Sequence, residues 1–220
     1  MLAVCARVLH RLWPLVLGVS ACASHGVPCA SPSGCPRGKE CLASRCVPEG
    51  STPVPSRSRR ILLTPTGLAL AGPEASDSLP PSVTLGQTAE GPRAFYLRFP
   101  GTFRGSRVRA AFLLLEPRPG APAGPDVPLE VWRADRDWRP EEVTARAQPG
   151  FALPVATAIG RAAPPALVRV DVTEIVQFLA AHPDLDHGVV VRATSKNPAG
   201  IAFATGVAGG TAPRLDVYVD

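Results

Sequence analysis

From residue 61 onward the apolar positions come in short runs set between Pro and Gly: Ile61–Thr64, Gly67–Ala71, Ser82–Leu85, Arg93–Phe99, Arg107–Glu116, Leu129–Arg133, Ala166–Val172, Gly188–Ala193, Gly200–Thr205 and Arg214–Val219. Within them the alternation is clean. Phe95, Leu97 and Phe99 share one face against Tyr96 and Arg98, and Leu215, Val217 and Val219 oppose Asp216, Tyr218 and Asp220. A period of two with regular turn signals predicts an all-β, antiparallel sandwich or barrel, each strand with one face in the core and one toward water. One segment departs from it. Over Asp171 to His182, Ile175, Phe178 and Leu179 recur at three and four residues, and Asp171 with Glu174 forms a D-x-x-E capping box. This predicts a single short helix, seated at an open end of the sandwich.

Composition supports that reading: the 26 Pro and 20 Gly exclude a mostly helical chain. Hydrophobic residues make up 45%, enough for a core, but aromatics only 5%, so the core is built from Val, Leu, Ala and a few Phe. The formal charge of +5 carries little weight, because the basic residues, nearly all Arg, are scattered among 18 acids. With no basic stripe and no nucleic-acid motif, nucleic acid is not an expected partner.

The amino terminus reads as an address. Arg7 and Arg11 precede the apolar stretch Leu12–Val19, which is too short to span a bilayer and ends in Val19-Ser20-Ala21-Cys22. Those four residues resemble the lipobox of bacterial lipoproteins. The resemblance implies a signal peptide over residues 1–21, acylation of Cys22, and, with Ala23 following, sorting to the outer membrane of the cell envelope. The other reading is an ordinary signal peptide cleaved near Ala23 or Ser24.

All six cysteines fall in the first 46 residues. With Cys5 in the signal and Cys22 lipidated, Cys29, Cys35, Cys41 and Cys46 remain, an even number in an oxidising compartment. This predicts two disulfides of open connectivity. The spacing C-x5-C-x5-C-x4-C is not that of zinc knuckles, so no metal is expected. Gly34-Cys-Pro-Arg-Gly-Lys-Glu-Cys41 with Ser44-Arg-Cys-Val47 resembles the small cysteine modules that follow the lipobox in bacterial surface lipoproteins. Residues 22–47 are thus read as a stapled spacer, and the Pro-, Ser- and Arg-rich residues 48–60 as a linker.

The ordered motifs of residues 61–220 carry a second resemblance. They are Phe95-Tyr-Leu-Arg-Phe99, Val108-Arg-Ala-Ala-Phe-Leu-Leu-Leu115, Leu129-Glu-Val-Trp-Arg133, Trp138 with Glu141-Glu-Val-Thr144, Val170-Asp-Val-Thr-Glu-Ile-Val176, His187-Gly-Val-Val-Val-Arg192 and Pro213-Arg-Leu-Asp-Val-Tyr-Val219. Together they resemble the DNRLRE-type domain, the fold of carbohydrate-binding module family 96. The resemblance implies a jelly-roll-like β-sandwich on a bacterial surface protein, some members of the family binding polysaccharide. Ala145 stands where the family usually has a second Trp, and Gly67-Leu-Ala-Leu70 replaces the usual opening strand.

Sugar recognition uses flat aromatic faces and planar polar side chains. Trp132, Trp138 and Tyr96, with Arg98 and Arg133, are the candidate carbohydrate-binding residues, acidic polysaccharide being the expected ligand. The competing role for Trp138 is to close the core beneath its loop, and for Trp132 to pack on a neighbour or on the helix. Catalysis finds little support, and no cofactor is expected. His182 and His187 flank a turn, adjacent Glu141 and Glu142 would point apart on a strand, and no nucleophile elbow, phosphate loop or H-E-x-x-H helix occurs. The alternative is a structural or protein-interaction module of an envelope assembly.

Overall fold

In the computed structural model, the described residues are 35–37, 39–42, 45–48, 58–72, 79–88, 91–118, 126–161, 167–194, 200–207 and 211–220. The signal segment, Cys22, Cys29 and most of the linker lie outside them. Strands β1 (Lys39–Leu42) and β2 (Arg45–Pro48) form a hairpin, with Cys41 opposite Cys46. A disulfide joins Cys35 to Cys46 across a Cα separation of 5.4 Å.

The body is an antiparallel sandwich. Its strands are β3 (Arg59–Leu63), β4 (Gly67–Ala71), β5 (Ser82–Leu85), β6 (Gln87–Thr88), β7 (Gly91–Pro92), β8 (Ala94–Arg98), β9 (Val108–Leu115), β10 (Asp126–Ala134), β11 (Phe151–Arg161), β12 (Val168–Asp171), β13 (Val189–Ala193), β14 (Ile201–Ala204) and β15 (Arg214–Val219). One sheet has the order β11-β10-β13-β8-β4 and the other β12-β9-β15-β3, with the pairs β14-β5 and β6-β7 beside them. Alternating residues of both sheets meet between them: Phe95, Leu97, Leu129, Val131 and Val191 from one, Leu113, Leu115, Val170, Leu215 and Val217 from the other, all essentially inaccessible to water. Such interdigitation of inner faces is what holds a sandwich together without cross-links.

Helix α1 (Thr173–Ala181) buries Ile175, Val176, Leu179 and Ala180 in this core and packs against β9 of one sheet and β11 of the other, closing the gap between them. Its start differs from the expected capping box. Val172 is the N-cap, and Asp171 Oδ1 instead accepts from the Thr173 backbone N–H at 3.0 Å and its hydroxyl at 2.6 Å. Phe178 is only partly buried, stacked on His182 at 4.3 Å.

Two expectations about exposure are corrected. Three outward positions of β8 and β15 do not meet water: Tyr96 is 0% exposed, Asp216 0% and Tyr218 5%. Asp216 accepts two hydrogen bonds from Arg60 (2.8 and 2.9 Å) and a third from the Tyr218 hydroxyl. Val47 of the disulfide hairpin packs on the buried pair Ala110 and Tyr218, as Phe112 also does. A stretch not expected to be a strand, β11, is the longest in the molecule as described and forms the edge of the five-stranded sheet.

Candidate functional site

The outer face of the five-stranded sheet divides into two halves. Over β4, β8 and β13 it carries Ala69, Ala71, Ala94, Tyr96 and Val190, and the loop from Asp135 to Gly150 folds back across them, inserting Trp138 and Val143. The Trp138 ring meets Tyr96 edge-on at 5.7 Å, and its Nε1–H donates to the His187 carbonyl at 2.6 Å. The Tyr96 hydroxyl donates to the Pro149 carbonyl at 2.7 Å, and burial pushes its pKa well above the usual phenol value. Arg98 completes the closure: its guanidinium lies 4.8 Å from the Trp138 ring centre and donates to the Trp138 carbonyl and to Asp137. Arg98 holds the Asp137 carboxyl below the ordinary carboxylate range.

Thus three of the five residues chosen from sequence, Tyr96, Trp138 and Arg98, do come together, but as the seal of a small second core. Trp138 is 3% exposed, so neither buried ring offers a face to a ligand. A fourth, Arg133, leaves the group altogether. Its Nε–H donates to the Leu153 carbonyl and its guanidinium covers Phe178 at 4.4 Å, on the helix side of the sheet.

The fifth, Trp132, stands on the other half, over β10 and β11, and is partly exposed. There the Trp132 ring lies 6.3 Å from that of Phe151, tilted by 34°. Its Nε1–H donates to Glu130 Oε2 at 2.9 Å, Glu130 pairs with Arg192 at 3.2 Å, and Arg192 sits 5.1 Å from the Phe151 ring centre. Register explains the grouping: Trp132 pairs with Val155 and Val190, and one pleat along, Glu130 pairs with Thr157 and Arg192. An aromatic row and a polar row therefore run side by side on an open sheet face, about 7 Å apart along the strand. Phe151 and Arg192 were missed in the sequence. The signal was there, because Phe151, Val155, Thr157 and Ile159 alternate with Ala152, Ala156, Ala158 and Gly160, but two prolines around Phe151 masked it.

A groove of about 580 Å³ opens elsewhere, between the turn at Gly105–Arg109 and Gln177, Ala180 and Ala181 of α1. Its two arginines both face Asp220, whose carboxyl pKa is lowered chiefly by its hydrogen bond with Arg109. Among the described residues, no three His, Cys, Asp or Glu gather as a metal site would require, and no helix is long and apolar enough to cross a membrane. No protein-family model matches the chain, and no curated protein sequence matches it.

Proposed function

We propose that the chain is a non-catalytic module of the bacterial envelope, anchored through lipid on Cys22, that holds polysaccharide on the ledge formed by Trp132, Phe151, Glu130 and Arg192. One observation carries this reading: a tilted aromatic pair stands next to a polar row on a sheet face that, among the described residues, no loop is seen to cover. Aromatic faces stack on the C–H faces of sugar rings, and the polar groups beside them meet hydroxyls. The resemblance of residues 61–220 to DNRLRE-type domains supports the same ligand class. Among the described residues Glu130 is the carboxylate in contact with the ledge, and no second one pairs with it there as hydrolysis by a carboxylate pair requires.

Affinity gels containing polysaccharide test the reading. Migration of the chain is retarded, and Trp132→Ala and Phe151→Ala each abolish the retardation; retardation indifferent to both substitutions refutes the ledge. For the anchor, Cys22→Ser shifts the protein out of the membrane fraction, and unchanged fractionation refutes lipidation. A second reading, a protein contact, is favoured by the exposed apolar side chains of edge strand β11: Leu153 is 67% exposed and Ile159 59%. Under that reading Leu153→Asp and Ile159→Asp abolish partner capture, while Trp132→Ala leaves it intact.

A further inference from the structure

We infer that the ledge selects uncharged polysaccharide and rejects polyuronates and sulfated chains, an inference that rests on the polysaccharide reading above. The reason lies in where the cations are. An acidic sugar needs a guanidinium or ammonium whose charge is not already matched, placed beside the stacking surface. Among the described residues, the guanidinium in contact with the aromatic pair is that of Arg192, which faces the Glu130 carboxylate at 3.2 Å, and that pair is partly sheltered, with side chains 38% and 24% exposed.

The other two arginines expected to serve an acidic ligand are engaged elsewhere. Arg98 is held by Asp137 and the Trp138 carbonyl, and Arg133 by the Leu153 carbonyl and the Phe178 ring. The neighbouring loop adds no positive field, since residues 135–150 carry three arginines against four carboxylates. A uronate brought onto Trp132 and Phe151 therefore finds, among the described residues, no unmatched cation to offset its desolvation, and it can reach Arg192 only by competing with the Glu130 carboxylate already paired there, which is a device of rejection.

For a neutral sugar the same pair is an asset. Arg192 donates only, Glu130 accepts only, and Thr157, paired with Glu130 across the ladder, does either. Vicinal hydroxyls, each both donor and acceptor, match that row, and Arg192 and Glu130 are pre-positioned by their own contact and by the Trp132 indole N–H. Glu130 is thus the specificity-determining residue of the ledge.

The test uses affinity electrophoresis of the full chain in gels containing either a neutral β-glucan or polygalacturonate, at low and at physiological ionic strength. The neutral polymer retards the wild type and polygalacturonate does not. Glu130→Gln, which keeps an acceptor for the Trp132 indole, weakens retention by the glucan about tenfold, as loss of a charge-assisted hydrogen bond does. It also creates retention by polygalacturonate by unmasking Arg192. Arg192→Gln, as a second variant, weakens glucan retention without creating polyuronate retention. Polygalacturonate retarding the wild type, or Glu130→Gln leaving the preference unchanged, overturns the selectivity while the polysaccharide reading stands. Retardation by neither polymer in wild type and variants alike removes both.

Discussion

At the scale of single residues, the two tryptophans of the sandwich have opposite duties, and the difference is set by what folds over them. Trp138 is sealed between Tyr96, Arg98 and the sheet, so Trp138→Ala leaves a cavity and a buried tyrosine without its neighbour, and unfolding free energy falls by about 3–5 kcal/mol. Trp132 is half-open, and Trp132→Ala lowers stability by no more than about 1.5 kcal/mol. Urea denaturation of both variants checks the contrast; equal losses contradict it. The Arg98 contact has its own signature. Because Arg98 depresses the Asp137 pKa, the stability this carboxylate contributes is present above its unfolded pKa of about 3.9 and is lost as pH falls through the lower folded value. Arg98→Gln therefore raises the Asp137 pKa toward the unperturbed value. Carboxyl carbon NMR titration shows the rise, and an unmoved midpoint contradicts the contact.

At the scale of elements, period-two alternation in the sequence was enough to locate most strands and to orient their inner faces, as Phe95-Leu97 and Leu215-Val217-Val219 show. It was not enough to say whether an outer face stays open. That depends on whether a distant loop or hairpin lies on it, and nothing local to Tyr96 or Asp216 announces the loop around Trp138 or the arrival of Arg60 and Val47. Strand β11 escaped for the converse reason. Its alternation of large and small side chains is bounded by Pro149 and interrupted by Pro154. As an edge strand it sets exposed apolar side chains against small ones, so the polar half that marks a half-buried strand is weak. Arg133 was misplaced in function because the pleat puts it and Trp132 on opposite sides of β10. The turn into β13 carries a sharper requirement: Gly188 has φ +86°, and a Cβ there would lie 2.4 Å from the Leu97 carbonyl oxygen. Gly188→Ala thus costs at least about 2 kcal/mol, through strain in the left-handed region and the backbone clash together. A urea midpoint within error of wild type contradicts that geometry.

At the scale of the whole molecule, the two outer sheet faces have been put to different uses. The face of the four-stranded sheet is occupied from within the chain, by the Asp216–Arg60–Tyr218 cluster and by Val47 of the disulfide hairpin. The Cys35–Cys46 bridge shortens the unfolded-state loop and contributes about 3 kcal/mol to the order of that hairpin in the chain-entropy account. The face of the five-stranded sheet is half-closed by Trp138 and half-open at Trp132, and on the open half the aromatic and polar rows meet. The central claim, that ligand is held on the open half, is tested most directly by following the indole N–H resonances of the full chain during titration with oligosaccharide. The chain has three tryptophans, Trp13, Trp132 and Trp138, and substitution assigns each signal. The Trp132 resonance moves in a saturable way, because its Nε1–H bonds to Glu130 within the ledge, while that of Trp138, bonded to the His187 carbonyl beneath its loop, stays in place. A titration in which Trp138 moves and Trp132 does not, or in which neither moves at any concentration, contradicts the account.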